Sequence, residues 1–213
     1  FPPPAERRSP AVPLKAAFVG RLVAYKGADM LVEAAATLVR EGRLTVDLYG
    51  DGPERAALQQ QIEAEGVADG VRLRGQVPHT ELHERLAQAD VFAFPSIREF
   101  GGAVVLEAMA LGVVPLVVDY GGPSELVTDA TGYRVPIGPR DQIIAAFREK
   151  LTRLCDDPSP LPQIAVAAQK RVADQFTWQA KAAQVSELYR KMLNLSGTDE
   201  TTLHAAPANH PTA

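Results

Sequence analysis

The sequence predicts an α/β fold, a mainly parallel sheet with helices layered on both faces. Short β-type runs alternate with helical stripes through most of the chain, which is how βαβ units read. The run Val114-Pro115-Leu116-Val117-Val118 is almost wholly apolar, as in a strand covered on both sides. A third observation bears on use. Glycine or polar residues follow the β-type runs at Gly20-Arg21, Gly50-Asp51-Gly52, Gly75-Gln76, Pro95-Ser96 and Asp119-Tyr120-Gly121-Gly122, and open sheets bind ligands beyond the carboxyl ends of their strands.

In chain order, Ala16–Val19 reads as the first strand, stopped by Gly20. The stretch Ala28–Arg40 carries Met30, Leu31, Ala34, Ala35, Leu38 and Val39 as a helical stripe. Strand Leu44–Tyr49, helix Glu54–Glu65, strand Val71–Arg74, helix Thr80–Gln88 and strand Val91–Phe94 follow. A helix bearing Glu107 then leads to strand Val114–Val118. Beyond a short strand at Tyr133–Val135 lie helical stretches near Asp141–Cys155, Gln163–Gln175 and Thr177–Leu193. Residues 1–14, Pro-rich and without an initiating Met, read as an interdomain linker. Residues 15–195 read as the folded domain, and residues 196–213, with almost no large apolar side chain, as a disordered tail.

With 213 residues, 46% apolar and 23% charged, the chain has the composition of a soluble globular protein. A net charge of -4 argues against a nucleic-acid partner, which would call for a basic face, but leaves a small anionic ligand open. The single cysteine, Cys155, rules out an intrachain disulfide and fits a reducing compartment. No apolar run is long enough to span a bilayer, and the first residues carry no secretory h-region, so a cytoplasmic location is expected.

Arg21 and Lys26 flank the first strand-to-helix turn. Two cations beside a helix N-terminus suit a phosphate, Arg as a bidentate fork and Lys as a point charge. Taken alone, the turn reads equally well as two solvated cations. Gly101 and Gly102 let backbone approach a ligand and leave the first N–H groups of the next helix pointing outward, although a plain tight turn has the same sequence.

Glu107 is the only charged residue between Phe100 and Asp119, in a segment apolar on every helical face, which reads as a buried helix. Its attraction to the helix dipole, about 0.3–1 kcal/mol, is smaller than the usual cost of burying an unpaired carboxylate, so ligand hydroxyls are the better account of it. Glu99 lies eight residues earlier, where a loop pair with Arg98 would explain it as well. His79 and His83 have the spacing of a metal pair. No third ligand is evident nearby and the stretch is not a zincin motif, so no metal is expected. The turn from Gly20 to Gly27 matches neither the dinucleotide fingerprint nor the P-loop, which disfavours a nicotinamide-dependent oxidoreductase.

Together these residues resemble the C-terminal, donor-binding half of a retaining glycosyltransferase of the GT-B fold, of the family 4 (group 1) type. The resemblance covers about Ala17 to Leu193. It rests on Gly20-Arg21 with Lys26-Gly27, Gly50-Asp51-Gly52-Pro53, Gly75-Gln76-Val77-Pro78 and Ala89-Asp90-Val91-Phe92-Ala93-Phe94-Pro95-Ser96. The Glu99-x7-Glu107 pair, Glu107-Ala108-Met109-Ala110-Leu111-Gly112 and Gly121-Gly122-Pro123-Ser124-Glu125 complete it. It implies a Rossmann-like three-layer domain, one half of a GT-B fold, closed by C-terminal helices.

By the same resemblance, Arg21 and Lys26 bind the diphosphate of a nucleotide sugar, Glu99 contacts the donor sugar and Glu107 holds the ribose hydroxyls. Arg21, Lys26 and Glu99 form the catalytic set. Gly20 and the backbone of Gly101, Gly102 and Ala103 join the donor site, and Gln76 and Val77 edge the base. Family members commonly read Glu-x-Phe-Gly, whereas Glu99-Phe100-Gly101-Gly102 places the aromatic one position earlier.

The resemblance further implies a hexosyltransferase with no cofactor and no metal, using a UDP, GDP or ADP sugar as donor. An N-terminal acceptor domain would be missing from this chain, and any peripheral membrane association would come through it. The alternative is a non-catalytic nucleotide-sugar-binding or regulatory module acting with a separate acceptor-domain chain.

Overall fold

Residues 11–193 are described in a computed structural model. The β-branched and aromatic runs pair into a six-stranded, wholly parallel sheet in the order β3-β2-β1-β4-β5-β6. The strands are β1 (Leu14–Val19), β2 (Leu44–Tyr49), β3 (Val71–Gly75), β4 (Val91–Phe94), β5 (Val114–Val118) and β6 (Tyr133–Val135). Every residue of β4 and β5 is buried, as their unbroken apolar sequences require of central strands.

The helices are α1 (Ala28–Arg40), α2 (Arg55–Ala64), α3 (His79–Leu86), α4 (Ala103–Ala110), α5 (Gly121–Leu126), α6 (Arg140–Asp156), α7 (Leu161–Gln175) and α8 (Trp178–Met192). Crossovers between parallel strands are right-handed. The sheet grows one way from β1 to β3 and the other way from β4 to β6, so α1 and α2 fall on one face and α4 on the other. The apolar stripe of α1, including Leu31, Val32, Ala35 and Leu38, is buried, and α6 packs against it. Arg140 ties the two helices at their ends, donating to Asp29 and Glu33 at 2.9 Å each.

One buried carboxylate is structural. Asp90, just before β4, accepts the Lys15 N–H at 2.9 Å and donates its own N–H to the Lys15 carbonyl at 2.8 Å. This exchange pins β4 beside β1. The growth of the sheet reverses between these two strands, and sheets of this kind bind ligands beyond the strand ends at such a reversal.

Some boundaries differ from expectation. β1 begins at Leu14, which pairs with Leu44 and is 1% exposed, so the folded part takes in the last residue assigned to the linker. Helix α5 was not anticipated, because Gly121-Gly122-Pro123 carries turn residues and no apolar period. The chain divides into two compact units, one ending at Asp174 and one beginning at Gln175. In the second unit α8 is capped at its start by Thr177, whose side chain accepts the Ala180 N–H at 3.1 Å. Residues 1–10 and the tail expected at 196–213 lie outside the described residues.

Candidate donor site

The loop after β1 meets the loop after β2 backbone to backbone. Gly20 N–H donates to the Tyr49 carbonyl and Leu22 N–H to the Asp51 carbonyl, each at 3.0 Å, while Gly50 N–H reaches the Gly75 carbonyl at 2.8 Å. Three strand ends are thereby drawn around a cleft of about 450 Å³. Gly20, Arg21, Gln76 and Val77 line it, together with Tyr49 and Leu82. The Arg21 side chain is exposed and has no ion-pair partner among the described residues. Four of the expected donor residues therefore share one opening.

Lys26 closes the short 3-10 turn Ala24–Lys26, and its ammonium sits 5.2 Å from the Phe94 ring centroid. Its partner is Glu99, in an ion pair where both side chains are 17% exposed. The neighbour Arg98 is not that partner and lies over the Tyr25 ring, 6.0 Å from its centroid. Burial alone would raise the Glu99 carboxyl. The Lys26 ammonium and the Gly102 and Gly101 N–H groups outweigh it, and the net shift is downward from the ordinary 4.5. The Gly102 N–H donates to Glu99 Oε1 at 3.3 Å, so in this structure those glycine donors face the protein's own carboxylate.

Gly102 caps α4 at φ 65°, and Ala103, the first helical residue, is exposed. Gly101 is exposed too, with nothing within 4 Å of where a Cβ would stand. The loop carrying Glu99 is backed by two glycines from the start of α5. A Cβ on Gly121, where φ is +60°, would stand 2.2 Å from the Glu99 carbonyl oxygen, and one on Gly122 2.4 Å from that of Phe100. The sequence offered this pair as a strand-end segment and as motif residues, but not among the donor-binding residues. Their place beyond β5, beside the loop beyond β4, was the signal available.

Glu107 departs from expectation. Helix α4 buries Val105, Ala108, Met109 and Ala110, but the Glu107 side chain is 25% exposed, one turn along the helix from exposed Ala103. Two histidines of α3 stand beside it, His79 Nε2 at 3.6 Å from Oε1 and His83 Nε2 at 3.7 Å from Oε2. Both distances exceed a hydrogen bond, so the carboxylate lacks a direct donor there. His79, His83 and Glu107 place their ligand atoms within 4.8 Å of one another. The third ligand that the sequence did not offer comes from a different helix. Their i, i+4 spacing was legible, and their neighbour was not.

Across these loops the first turn carries cations, one carboxylate stands in the β4–α4 loop and another one turn into α4, and no helix among the described residues is long and apolar enough to cross a membrane. A model of the glycosyl transferases group 1 family matches residues 4–172. The chain is 32% identical over 177 residues to an alpha-D-kanosaminyltransferase of Streptomyces kanamyceticus, covering 82% of this chain and 45% of that protein. It is 33% identical over 189 residues to a Mycobacterium tuberculosis glycogen synthase, covering 88% and 45%. The chain thus spans about half the length of the curated relatives it matches. Among solved structures, Anabaena HepE in complex with UDP-glucose superposes with a TM-score of 0.71 at 24% identity, covering 84% of this chain and 49% of that one. A six-stranded parallel sheet whose growth reverses between β1 and β4, and a family match over most of the length, place this chain among the group 1 glycosyl transferases.

Proposed function

We propose that this chain is the donor-binding half of a retaining glycosyltransferase that takes a nucleoside-diphosphate sugar. Arg21 and Lys26 receive the diphosphate, assisted by the first N–H groups of α4. Glu107 receives the ribose hydroxyls, Gln76 and Val77 edge the base, and Glu99 meets the donor sugar. The observation that carries this reading is the position of Glu107. Its carboxylate has no hydrogen bond among the described residues and stands one helical turn, about 6 Å, past the N-terminus of α4. A diphosphate at the helix start and a pentose one turn along fit that spacing.

The chemistry follows from the charges. As the glycosidic bond breaks, negative charge grows on the departing diphosphate. Fixed cations and N–H donors stabilise that charge more than they stabilise the intact donor, which lowers the barrier without a divalent ion at the phosphates. Attack by the acceptor on the leaving-group face, with the departing phosphate taking its proton, would retain the anomeric configuration. An N-terminal domain would supply the acceptor, so the chain alone is expected to bind donor and not to transfer sugar. The Anabaena neighbour was captured with UDP-glucose, which puts UDP first among the nucleotides to try.

A thermal-shift panel of UDP, GDP, ADP and their sugars tests the reading, because a ligand that binds only the folded state stabilises it by RT ln(1 + [L]/Kd). One base is expected to raise the midpoint above the others. Glu107→Ala should weaken the best nucleotide by about tenfold, and Arg21→Ala should weaken the diphosphate more than the nucleoside. Affinity unchanged in both variants would remove the assignment.

A further inference from the structure

We propose that His79, His83 and Glu107 form a binding site for one divalent transition-metal ion of the zinc class, and that this ion and a donor ribose exclude each other. The exclusion rests on the ribose role proposed for Glu107; the metal site does not.

Two histidines a turn apart at the start of a helix are commonly just a polar face. Three observations set this pair apart. The rings lie edge to face, with centroids 4.2 Å apart at 64°. Each Nε2 is directed to a different oxygen of the same carboxylate, at 3.6 and 3.7 Å, and that carboxylate comes from another helix. The His83 Nε2 is buried and has no hydrogen-bond partner among the described residues, a state that costs free energy unless something binds the nitrogen.

The spacing suits an ion better than a hydrogen bond. Bonds of about 2.0–2.1 Å in a tetrahedron hold ligand atoms roughly 3.3–3.4 Å apart; each Nε2 stands within a few tenths of an ångström of that distance from one or the other Glu107 oxygen, and one ligand atom from each residue lies within 4.8 Å of the others. The remaining distance closes by rotation of the Glu107 carboxylate and of His79, whose side chain is 67% exposed. Two imidazoles and one carboxylate select zinc, cobalt, nickel or copper over the hard cations magnesium and calcium, which prefer oxygen. Three protein ligands leave a fourth position for water. An ion held this way occupies the Glu107 carboxylate, and a ribose loses its acceptor.

The test uses the tag-free 213-residue chain. Zinc is titrated by calorimetry, and cobalt by its visible absorption, into the wild type and into His79→Asn and His83→Asn. The wild type is expected to show a tetrahedral cobalt spectrum at one ion per chain. Each variant should lose about tenfold or more in affinity, since even the outer partners of metal ligands are commonly worth that much. His79 is exposed, so its variant keeps its fold by circular dichroism while losing the ion. Wild-type affinity in His79→Asn would overturn the site, because background binding by other groups is common to both proteins. UDP is then titrated with and without saturating zinc. Zinc should weaken UDP for the wild type and much less for His79→Asn, the chelation of zinc by free diphosphate being the same for both. UDP affinity equally sensitive to zinc in both proteins would overturn the exclusion. UDP that fails to bind without metal would overturn the donor reading and the exclusion with it, while the cobalt spectrum still decides the site.

Discussion

Beyond β1, β2 and β3 the loops are joined main chain to main chain, and Arg21 stands over their cleft with no ion partner among the described residues. Beyond β4 and β5 the backbone is joined in the same manner, by Gly122 N–H to the Glu99 carbonyl at 3.3 Å and by Ile97 N–H to the Tyr25 carbonyl at 3.0 Å. There, however, the side chains pair inward as Lys26 and Glu99. Both flanks of the switch point hold their backbone fixed, but only one holds its charge ready. In the proposed donor site an arriving diphosphate would gain the whole attraction of Arg21, and at Lys26 only the difference between itself and Glu99.

Breaking the backbone of the β1–β3 flank should give the largest effect. Gly50 has φ 129°, and a Cβ there would stand 1.9 Å from the Gly20 carbonyl oxygen, so Gly50→Ala meets both conformational strain and a collision with main chain. A loss of about 3 kcal/mol or more in denaturant unfolding is expected. Gly101→Ala, with open space around its Cβ, should change stability by less than about 0.5 kcal/mol. Similar midpoints for the two variants would mean that the β1–β2 crossing is not tight, and the contrast with the exposed loop would lapse.

The charge half of the comparison is sharpened by releasing Lys26. Glu99→Gln keeps the shape of the side chain and removes its charge, so Lys26 becomes fully available to a phosphate. UDP should bind about two- to fivefold more tightly to this variant, the scale of a partly exposed ion pair. Weaker UDP binding would mean that Glu99 supports the nucleotide directly, and the two flanks would no longer differ as described.

What the sequence made legible divides along similar lines. Ala28–Arg40, Leu44–Tyr49, Val91–Phe94, Val114–Val118 and Tyr133–Val135 stand at their expected bounds, because period and apolar run length are local properties. Gly20, Arg21, Gln76 and Val77 converge because each follows a strand end, and a parallel sheet gathers such ends on one edge. Pairings across the fold were not legible. Lys26 meets Glu99 from 73 positions away, and Arg98, adjacent in sequence, was the simpler partner to assume. Glu107 was read as enclosed because every neighbour in sequence is apolar. Its exposure is set by α3 lying beside α4, which no local pattern encodes.

The smallest expected effect concerns acid. Because the folded Glu99 carboxyl is held below its ordinary 4.5, it binds its proton less readily folded than unfolded. Its contribution to stability is therefore complete above that ordinary value and fades as the pH falls through the lower folded one. The gap between wild type and Glu99→Gln in urea should stay level from neutrality to about pH 5 and then shrink on further acidification, by no more than about 1 kcal/mol in total for a pair that keeps some contact with water. A gap that widens in acid would mean burial outweighs Lys26 at this carboxylate. The β4 flank would then carry an unsatisfied charge, and its contrast with Arg21 would be one of degree.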